Sequence, residues 1–177
     1  MKERVLRVGK PTPLIGVMTE PVEFQPDRPA LLILNSGIMH HVGSCRMSVK
    51  LARAAAARGV LAVRFDFSGI GDSEPRAGGL TFEQASVSEC QEMMDHLSRT
   101  RGVNRFMLYG LCSGADASYH TALHDTRVVA ISQYDPYCYV TPGYYLHHYA
   151  SAIMSLSRWR NFLANQWKQM ATRARAG

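Results

Sequence analysis

A cysteine stands at the centre of a Gly-x-Cys-x-Gly motif, at Gly110, Cys112 and Gly114, where a short apolar run meets a helical pattern. This motif predicts a sharp turn from a strand into a helix, in which the central residue has a strained backbone and an exposed side chain. Cys112 would then be a nucleophile that attacks a carbonyl carbon. The alternative is a structural cysteine, because free cysteine is among the most frequently buried residue types.

Two segments upstream of this motif also place glycine-containing loops after apolar runs. Residues 61–73 read Leu-Ala-Val-Arg-Phe-Asp-Phe-Ser-Gly-Ile-Gly-Asp-Ser, and residues 30–46 read Ala-Leu-Leu-Ile-Leu-Asn-Ser-Gly-Ile-Met-His-His-Val-Gly-Ser-Cys-Arg. With the cysteine motif, they resemble the α/β-hydrolase family, in which a strand ending in Asp-x-x-Gly-x-Gly-x-Ser and an earlier oxyanion loop precede the nucleophile. The second segment and the Gly-Leu-Cys turn look most like small hydrolases that accompany bacterial exosortase and exopolysaccharide gene sets.

The resemblance implies roles for backbone groups beside the cysteine. The N–H of Ser113 is expected to be one donor of the oxyanion hole, and the loop at residues 36–38 to supply the second, from Ile38 first and Gly37 next. The helix that begins after Cys112 favours negative charge at its N-terminus, which suits a thiolate. Asp66 is expected to be part of a structural turn, and Asp72 to be a surface carboxylate.

The elements that position this motif alternate between strand and helix patterns. They predict a doubly wound, mostly parallel α/β sheet whose ligand site lies at the carboxyl ends of the strands. Ser44 is expected to cap the first helix, which would end at Gly59, and Thr81 and Gln84 to form a capping box for the second. The predicted strands are 5–8, 14–18, 31–34, 60–65, 106–109 and 128–131, and the predicted third helix is 113–124.

Beyond the sixth strand the chain departs from the pattern that it resembles. The family continues through a lid, a seventh strand with the catalytic acid, and an eighth strand followed by the catalytic histidine. Here residues 133–177 are tyrosine-rich and then helical, like the beginning of a lid. The sequence therefore predicts a hydrolase-like core at 1–132, lacking the family's last strands, and a lid-like C-terminal segment at 133–177.

Three explanations account for the missing base and acid. First, His40, His41 and Asp135 project from loops that flank the nucleophile strand, so Cys112, His41 and Asp135 could form a relay. The alternative for each of the three is an ordinary loop residue without a catalytic role. Second, a second subunit or another copy of this chain would complete the sheet, whose sixth strand is otherwise an open edge. Third, the protein would bind a ligand or partner without turnover.

Composition excludes several other classes of function. The 177-residue chain is 46% hydrophobic and carries a mild net charge of +6, with no nucleic-acid-binding motif and no apolar run of membrane-spanning length. It has no secretory signal, and its four cysteines lack metal-type spacing, so reduced thiols in a cytoplasmic protein are expected. His120 and His124 lie four residues apart, but no glutamate stands between them as in a zinc protease, so neither a metal nor a cofactor is expected.

The sequence thus predicts an enzyme, a hydrolase or acyltransferase of the esterase or thioesterase type, with Cys112 as its nucleophile. A small-molecule acyl substrate would form a covalent intermediate on the thiol and then pass to water or another acceptor. The tyrosine-rich segment would line the acyl pocket, and the closer resemblance suggests a carbohydrate-linked ester. The alternative is a non-catalytic or split-enzyme subunit that binds a partner chain.

Overall fold

The computed structural model describes residues 1–137 and 143–144, which include six strands, three α-helices and one short 3-10 turn at Ser44–Arg46. None of the helices in this part of the chain is long and apolar enough to cross a bilayer. The strands are β1 Lys2–Val8, β2 Leu14–Glu20, β3 Ala30–Ile33, β4 Ala62–Phe65, β5 Phe106–Leu111 and β6 Val128–Tyr134, and the helices are α1 Met47–Ala56, α2 Phe82–Arg101 and α3 Ser113–His124.

The six strands form one sheet in the order β1-β2-β4-β3-β5-β6. The strand β2 is antiparallel to both β1 and β4, whereas β4, β3, β5 and β6 run parallel. Leu32 of β3 lies opposite Val63 of β4 and Leu108 of β5. The predicted mixed, mostly parallel α/β sheet is confirmed, and the carboxyl ends of β3, β4 and β5 meet at one edge.

The hydrophobic core explains why the central strands read as continuous apolar runs. A strand covered by helices on both faces is buried on both faces, so its sequence shows no alternation. All four residues of β4 are buried, and Met93, Met94 and Leu97 of α2 are buried with them. This packing fixes the strand ends that carry the loops of the site.

The helix boundaries match the predicted signals at α2 but not at α1. At α2 the capping box is confirmed, because Thr81 accepts a hydrogen bond from the Gln84 N–H and the Gln84 side chain accepts one from the Thr81 N–H. The prediction that Ser44 caps α1 is wrong. Cys45 and Arg46 both have positive φ angles, which interrupt the helical turn, so α1 begins only at Met47.

The chain divides into two compact units, Met1–Tyr137 and Cys138–Gly177. All six strands belong to the first unit. Of the predicted lid-like segment, Tyr134 and Tyr137 lie in the first unit, and both side chains are exposed. Of the same segment, residues 138–142, which include Cys138, and residues 145–177 lie outside the described residues.

Candidate active site

Cys112 occupies the turn between β5 and α3 with φ 53° and ψ −121°. This conformation is strained for a residue with a Cβ atom. The turn is fixed on both sides, because the Cys112 N–H donates to the Tyr134 carbonyl at 2.9 Å and the Cys112 carbonyl accepts from the Ala115 N–H at 2.8 Å. The cysteine is exposed and its thiol is free. The structure thus has the expected turn geometry and presents Cys112 to solvent.

The two glycines of the motif are required by close backbone contact. A Cβ atom built on Gly110 would overlap the Gly114 carbonyl, and one built on Gly114 would overlap the Asn35 carbonyl. Both obstructions are backbone atoms, which cannot rotate away as the end of a side chain can. The absence of side chains here lets β5, α3 and the loop after β3 converge beside Cys112.

The loop that follows β3 provides the other wall of the site. Its tip is closed by a Met39 N–H bond to the Ser36 carbonyl at 3.0 Å, and the Gly37 N–H donates to the Ser113 hydroxyl at 2.7 Å. The Gly37 N–H is therefore occupied. The N–H groups of Ile38 and Ser113 donate to no acceptor in the hydrogen bonds of the described residues, which leaves both available to a ligand.

Asp66 lies directly after β4 and is fully buried under this loop. Its Oδ1 accepts from the Asn35 amide at 2.8 Å and the His41 N–H at 2.6 Å, and its Oδ2 lies 2.6 Å from His41 Nδ1 and 3.1 Å from the Asp72 N–H. Burial by itself raises the pKa of Asp66, but the hydrogen bonds that it accepts, from His41 and Asn35 first, outweigh this and hold the pKa below its ordinary value.

The ring centroids of the two histidines lie 3.9 Å apart, with the ring planes tilted by 36°, but the nitrogens of the two rings face different partners. A carboxylate only accepts, so His41 Nδ1 carries the proton that it shares with Asp66. His40 Nδ1 accepts from the Val42 N–H at 3.2 Å, so His40 Nε2 carries the proton and donates to Asp72 at 3.1 Å. Both His40 nitrogens are thus engaged, whereas His41 Nε2 makes no hydrogen bond with the described residues.

His40, His41, Asp66 and Asp72 could also offer four metal-ligand atoms, all within 4.8 Å of one another. A histidine that binds a metal through one nitrogen carries a proton on the other, and that proton needs an acceptor. At His40 the other nitrogen faces the Val42 N–H, which is a donor. The Asp66 Oδ2 already accepts two hydrogen bonds. The donors and acceptors of these four side chains are therefore arranged for hydrogen bonds with one another rather than for coordination of a metal ion.

The remaining predicted residues lie apart from this cluster. Asp135 has a positive φ of 52° and an exposed side chain, and the structure pairs His41 with Asp66 rather than with Asp135. His120 pairs with Glu83 at 3.1 Å, and the His124 ring bonds to the His120 carbonyl at 2.8 Å. These two histidines therefore face different partners.

The Asp66–His41 pair was missed at the level of sequence, although a signal exists. Both residues follow apolar strand runs, and the carboxyl ends of neighbouring parallel strands lie side by side. Since β3 lies next to β4, residues just after these strands can meet. The prediction that Asp66 is part of a structural turn did not include its hydrogen bonds with His41.

A small cavity lies between the loop after β3 and strand β5. It measures about 20 Å³, and its apolar lining includes Met39, Met47, Tyr109 and Leu111. This volume holds about one water molecule. The cavity beside the cysteine strand is thus too small for an acyl chain in this conformation.

Comparison with solved structures places this arrangement in the α/β-hydrolase fold. An α/β hydrolase, GrgF from a Penicillium species, matches with a TM-score of 0.65 and 18% identity over 86% of this chain and 52% of its own. The structure of DcsB in complex with its substrate analogue matches with a TM-score of 0.67 and 17% identity, over 93% and 54%. A lidless α/β serine hydrolase from Xanthomonas campestris gives 0.60 and 18%, over 75% and 60%.

The described strands therefore correspond to part of a larger fold. The chain spans between 52% and 60% of the lengths of these three proteins. The sequence matches no protein-family model and no curated protein.

Proposed function

We propose that this chain provides the nucleophile of a hydrolase or acyltransferase that acts on an ester or a thioester. The observation that carries the proposal is the strained, exposed Cys112 at the N-terminus of α3. The N–H groups of Ser113, which follows it directly, and of Ile38 have no acceptor among the described residues. A cysteine buried for structural reasons has no need of this backbone conformation. The α/β-hydrolase fold supports the same class of reaction by analogy.

In the proposed reaction the Cys112 thiolate attacks the acyl carbon, and a C–S bond forms while the carbonyl π electrons move onto oxygen. The N–H groups of Ser113 and Ile38 stabilise this oxyanion. When the C=O bond re-forms, the alkoxide or thiolate leaving group departs and takes up a proton. Water or another acceptor then loses a proton to a base and attacks the acyl-cysteine thioester. The C–S bond breaks, the acyl product leaves, and Cys112 is left as the thiolate.

We propose His41 as the first candidate for the base, ahead of His40 and Asp135. A general base is oriented by a partner on one side and accepts a proton on the other. Asp66 orients His41 through Nδ1, while Nε2 remains a free acceptor. Both ring nitrogens of His40 are already engaged, and Asp135 is exposed without an ion pair in the described part of the chain.

The finer assignments rest on the sequence. The resemblance to exopolysaccharide-associated hydrolases favours a carbohydrate-linked ester as substrate. The tyrosine-rich segment, of which residues up to 137 and residues 143–144 are described, is proposed to line the acyl pocket. A cytoplasmic location agrees with free thiols at Cys45, Cys90 and Cys112.

A second candidate function is a subunit completed by a partner strand. Among the described residues, β6 pairs with β5 alone, and the side chains of Val129 and Ile131 in this strand are exposed. Open strand edges are usually covered or paired. Another copy of this chain or a different subunit would provide that strand.

The experiment that tests the proposal is intact-mass spectrometry after exposure to p-nitrophenyl acetate, p-nitrophenyl butyrate and an N-acetylcysteamine thioester. We expect one acyl adduct on the wild type, none on Cys112→Ala, and an unchanged adduct on the control Cys45→Ser, which removes the other exposed thiol of the described residues. Burial raises the pKa of Cys90 to about 12, so this thiol stays unmodified. Alkylation of Cys112 by iodoacetamide without any acylation would contradict the proposal.

A further inference from the structure

We infer that the buried carboxylate of Asp66 is a positioning residue, which holds the loop after β3 so that the Ile38 N–H completes the oxyanion hole. This inference rests on the proposed acyl chemistry of Cys112 and deepens it. Asp66 contacts neither the cysteine nor a substrate. Its effect would pass through the loop at residues 35–41.

The contacts of Asp66 hold both ends of this loop. At the beginning, the Asn35 amide donates to Asp66 Oδ1 at 2.8 Å and also to the Met39 carbonyl at 2.7 Å. At the end, both the backbone N–H and the ring of His41 bond to Asp66, each at 2.6 Å. A single carboxylate thus joins the two ends of a seven-residue segment, and the segment can protrude between them without a strand partner.

The four hydrogen bonds that Asp66 accepts, from Asn35, from His41 twice and from Asp72, are called the Asp66 clamp below. The strength of the clamp follows from burial and charge. Asp66 is fully buried and His41 is 7% exposed, so little water competes for their hydrogen bonds. Hydrogen bonds to an ionised acceptor are stronger than those between neutral groups. The buried Arg64 nearby adds a favourable charge interaction. These groups favour the ionised carboxylate, which can accept all four hydrogen bonds.

Within the described part of the chain, one further hydrogen bond joins the tip of the loop to the residue after Cys112. The Gly37 N–H donates to the Ser113 hydroxyl at 2.7 Å, and the neighbouring Ile38 side chain is 91% exposed. Packing therefore contributes little to the position of the tip. We therefore assign to the Asp66 hydrogen bonds at the base of the loop the role of holding the backbone that carries the Ile38 N–H.

The test compares two reactions of the same thiol in the full-length protein. Acylation by p-nitrophenyl acetate passes through an oxyanion, whereas alkylation by iodoacetamide does not. In Asp66→Asn, an amide N–H₂ group takes the place of the Oδ2 atom. This donor then faces two other donors, the His41 ring N–H and the Asp72 N–H, so these two hydrogen bonds are lost while the side-chain volume stays the same. We expect acylation to fall about ten- to a hundredfold, somewhat below the effect of deleting an oxyanion donor, and alkylation to stay within about twofold.

The matched control is Asp72→Asn. This change neutralises the other carboxylate of the cluster, which is exposed and whose side chain bonds to His40. The ratio of acylation to alkylation should remain at the wild-type value. Equal falls of both rates in Asp66→Asn, or no fall in either with the fold intact by circular dichroism, would overturn the inference.

A second pair of variants decides the matter if Asp66→Asn does not fold. Both His41→Asn and His41→Ala remove the candidate base, but only the asparagine amide can place an N–H where His41 Nδ1 lies. The ratio of acylation to alkylation should therefore be higher in His41→Asn than in His41→Ala. If the histidine acts only as a base, the two variants lose the same activity and the inference fails. Alkylation of the wild type without acylation would instead refute the proposed acyl chemistry itself.

Discussion

The backbone conformation of Cys112 makes glycine, rather than alanine, the more stable replacement at this position. The φ of 53° with a ψ of −121° is accessible to glycine but strained for any residue that carries a Cβ. Cys112→Ala keeps the Cβ and therefore the strain, while Cys112→Gly removes both. The side chain is exposed, so neither change forfeits a buried sulfur contact.

The magnitude follows from two opposing terms. A residue held in a sparsely populated region costs about 1–3 kcal/mol, which glycine recovers. Glycine loses more chain entropy on folding than alanine, at a cost of about 0.5–1 kcal/mol. The net expectation is that Cys112→Gly is more stable than Cys112→Ala by up to about 2.5 kcal/mol. For a chain of this size, that corresponds to a rise of up to about 10 °C in Tm.

The assay is the free energy of unfolding from urea titration of the two variants, with the slope of the titration checked for equality. Ser88 supplies the matched control, because it is exposed within α2 and needs no unusual φ. There the sign reverses, and Ser88→Gly should be less stable than Ser88→Ala by about 1 kcal/mol. If glycine is also the less stable residue at position 112, the backbone there is not strained. The argument that this strained turn marks Cys112 as a nucleophile is then refuted.

Two further predictions concern the scaffold around the site. Gly114→Ala places a Cβ against the Asn35 carbonyl, so this variant should lower the free energy of unfolding by about 1–3 kcal/mol. The control is Gly79→Ala, whose Cβ would have no atom within 4 Å. In the same urea assay it should stay within about 0.5 kcal/mol of wild type. Asp125, whose pKa is lowered chiefly by its hydrogen bond from Arg127, stabilises the folded state at neutral pH, and this contribution is lost as the pH falls through the lowered pKa. The stability gap between wild type and Asp125→Asn should therefore be largest near pH 7 and shrink toward pH 3, and a constant gap would contradict the assignment.

The strands of this fold are predictable from sequence because the core is covered on both faces. Runs such as residues 31–34 and 106–109 have no polar interruption, which is typical of buried parallel strands. The capping box at α2 is also predictable, since it depends only on a local spacing. The order of these strands in the sheet is not predictable from such local patterns, because it depends on contacts between segments that are distant in sequence.

The parts of the site that escaped prediction depend on contacts distant in sequence. His41 and Asp66 are separated by 25 positions, and their pairing requires that β3 lie next to β4. The start of α1 escaped for a different reason. Ser44 is a favourable cap by residue type, but the positive φ angles at Cys45 and Arg46 reflect how the loop is anchored, which no local pattern encodes.

The geometry separates the two halves of the proposed reaction. Acylation needs the thiol of Cys112 and the N–H groups of Ser113 and Ile38, and these come from β5, α3 and the loop after β3, which lie within one compact unit. Deacylation needs in addition a base that activates water, for which His41 is the first candidate. If a partner strand supplies that base instead, the isolated chain should form the acyl adduct and release it slowly. The rate of adduct loss therefore distinguishes the single-chain enzyme from the split enzyme, while adduct formation tests what they share.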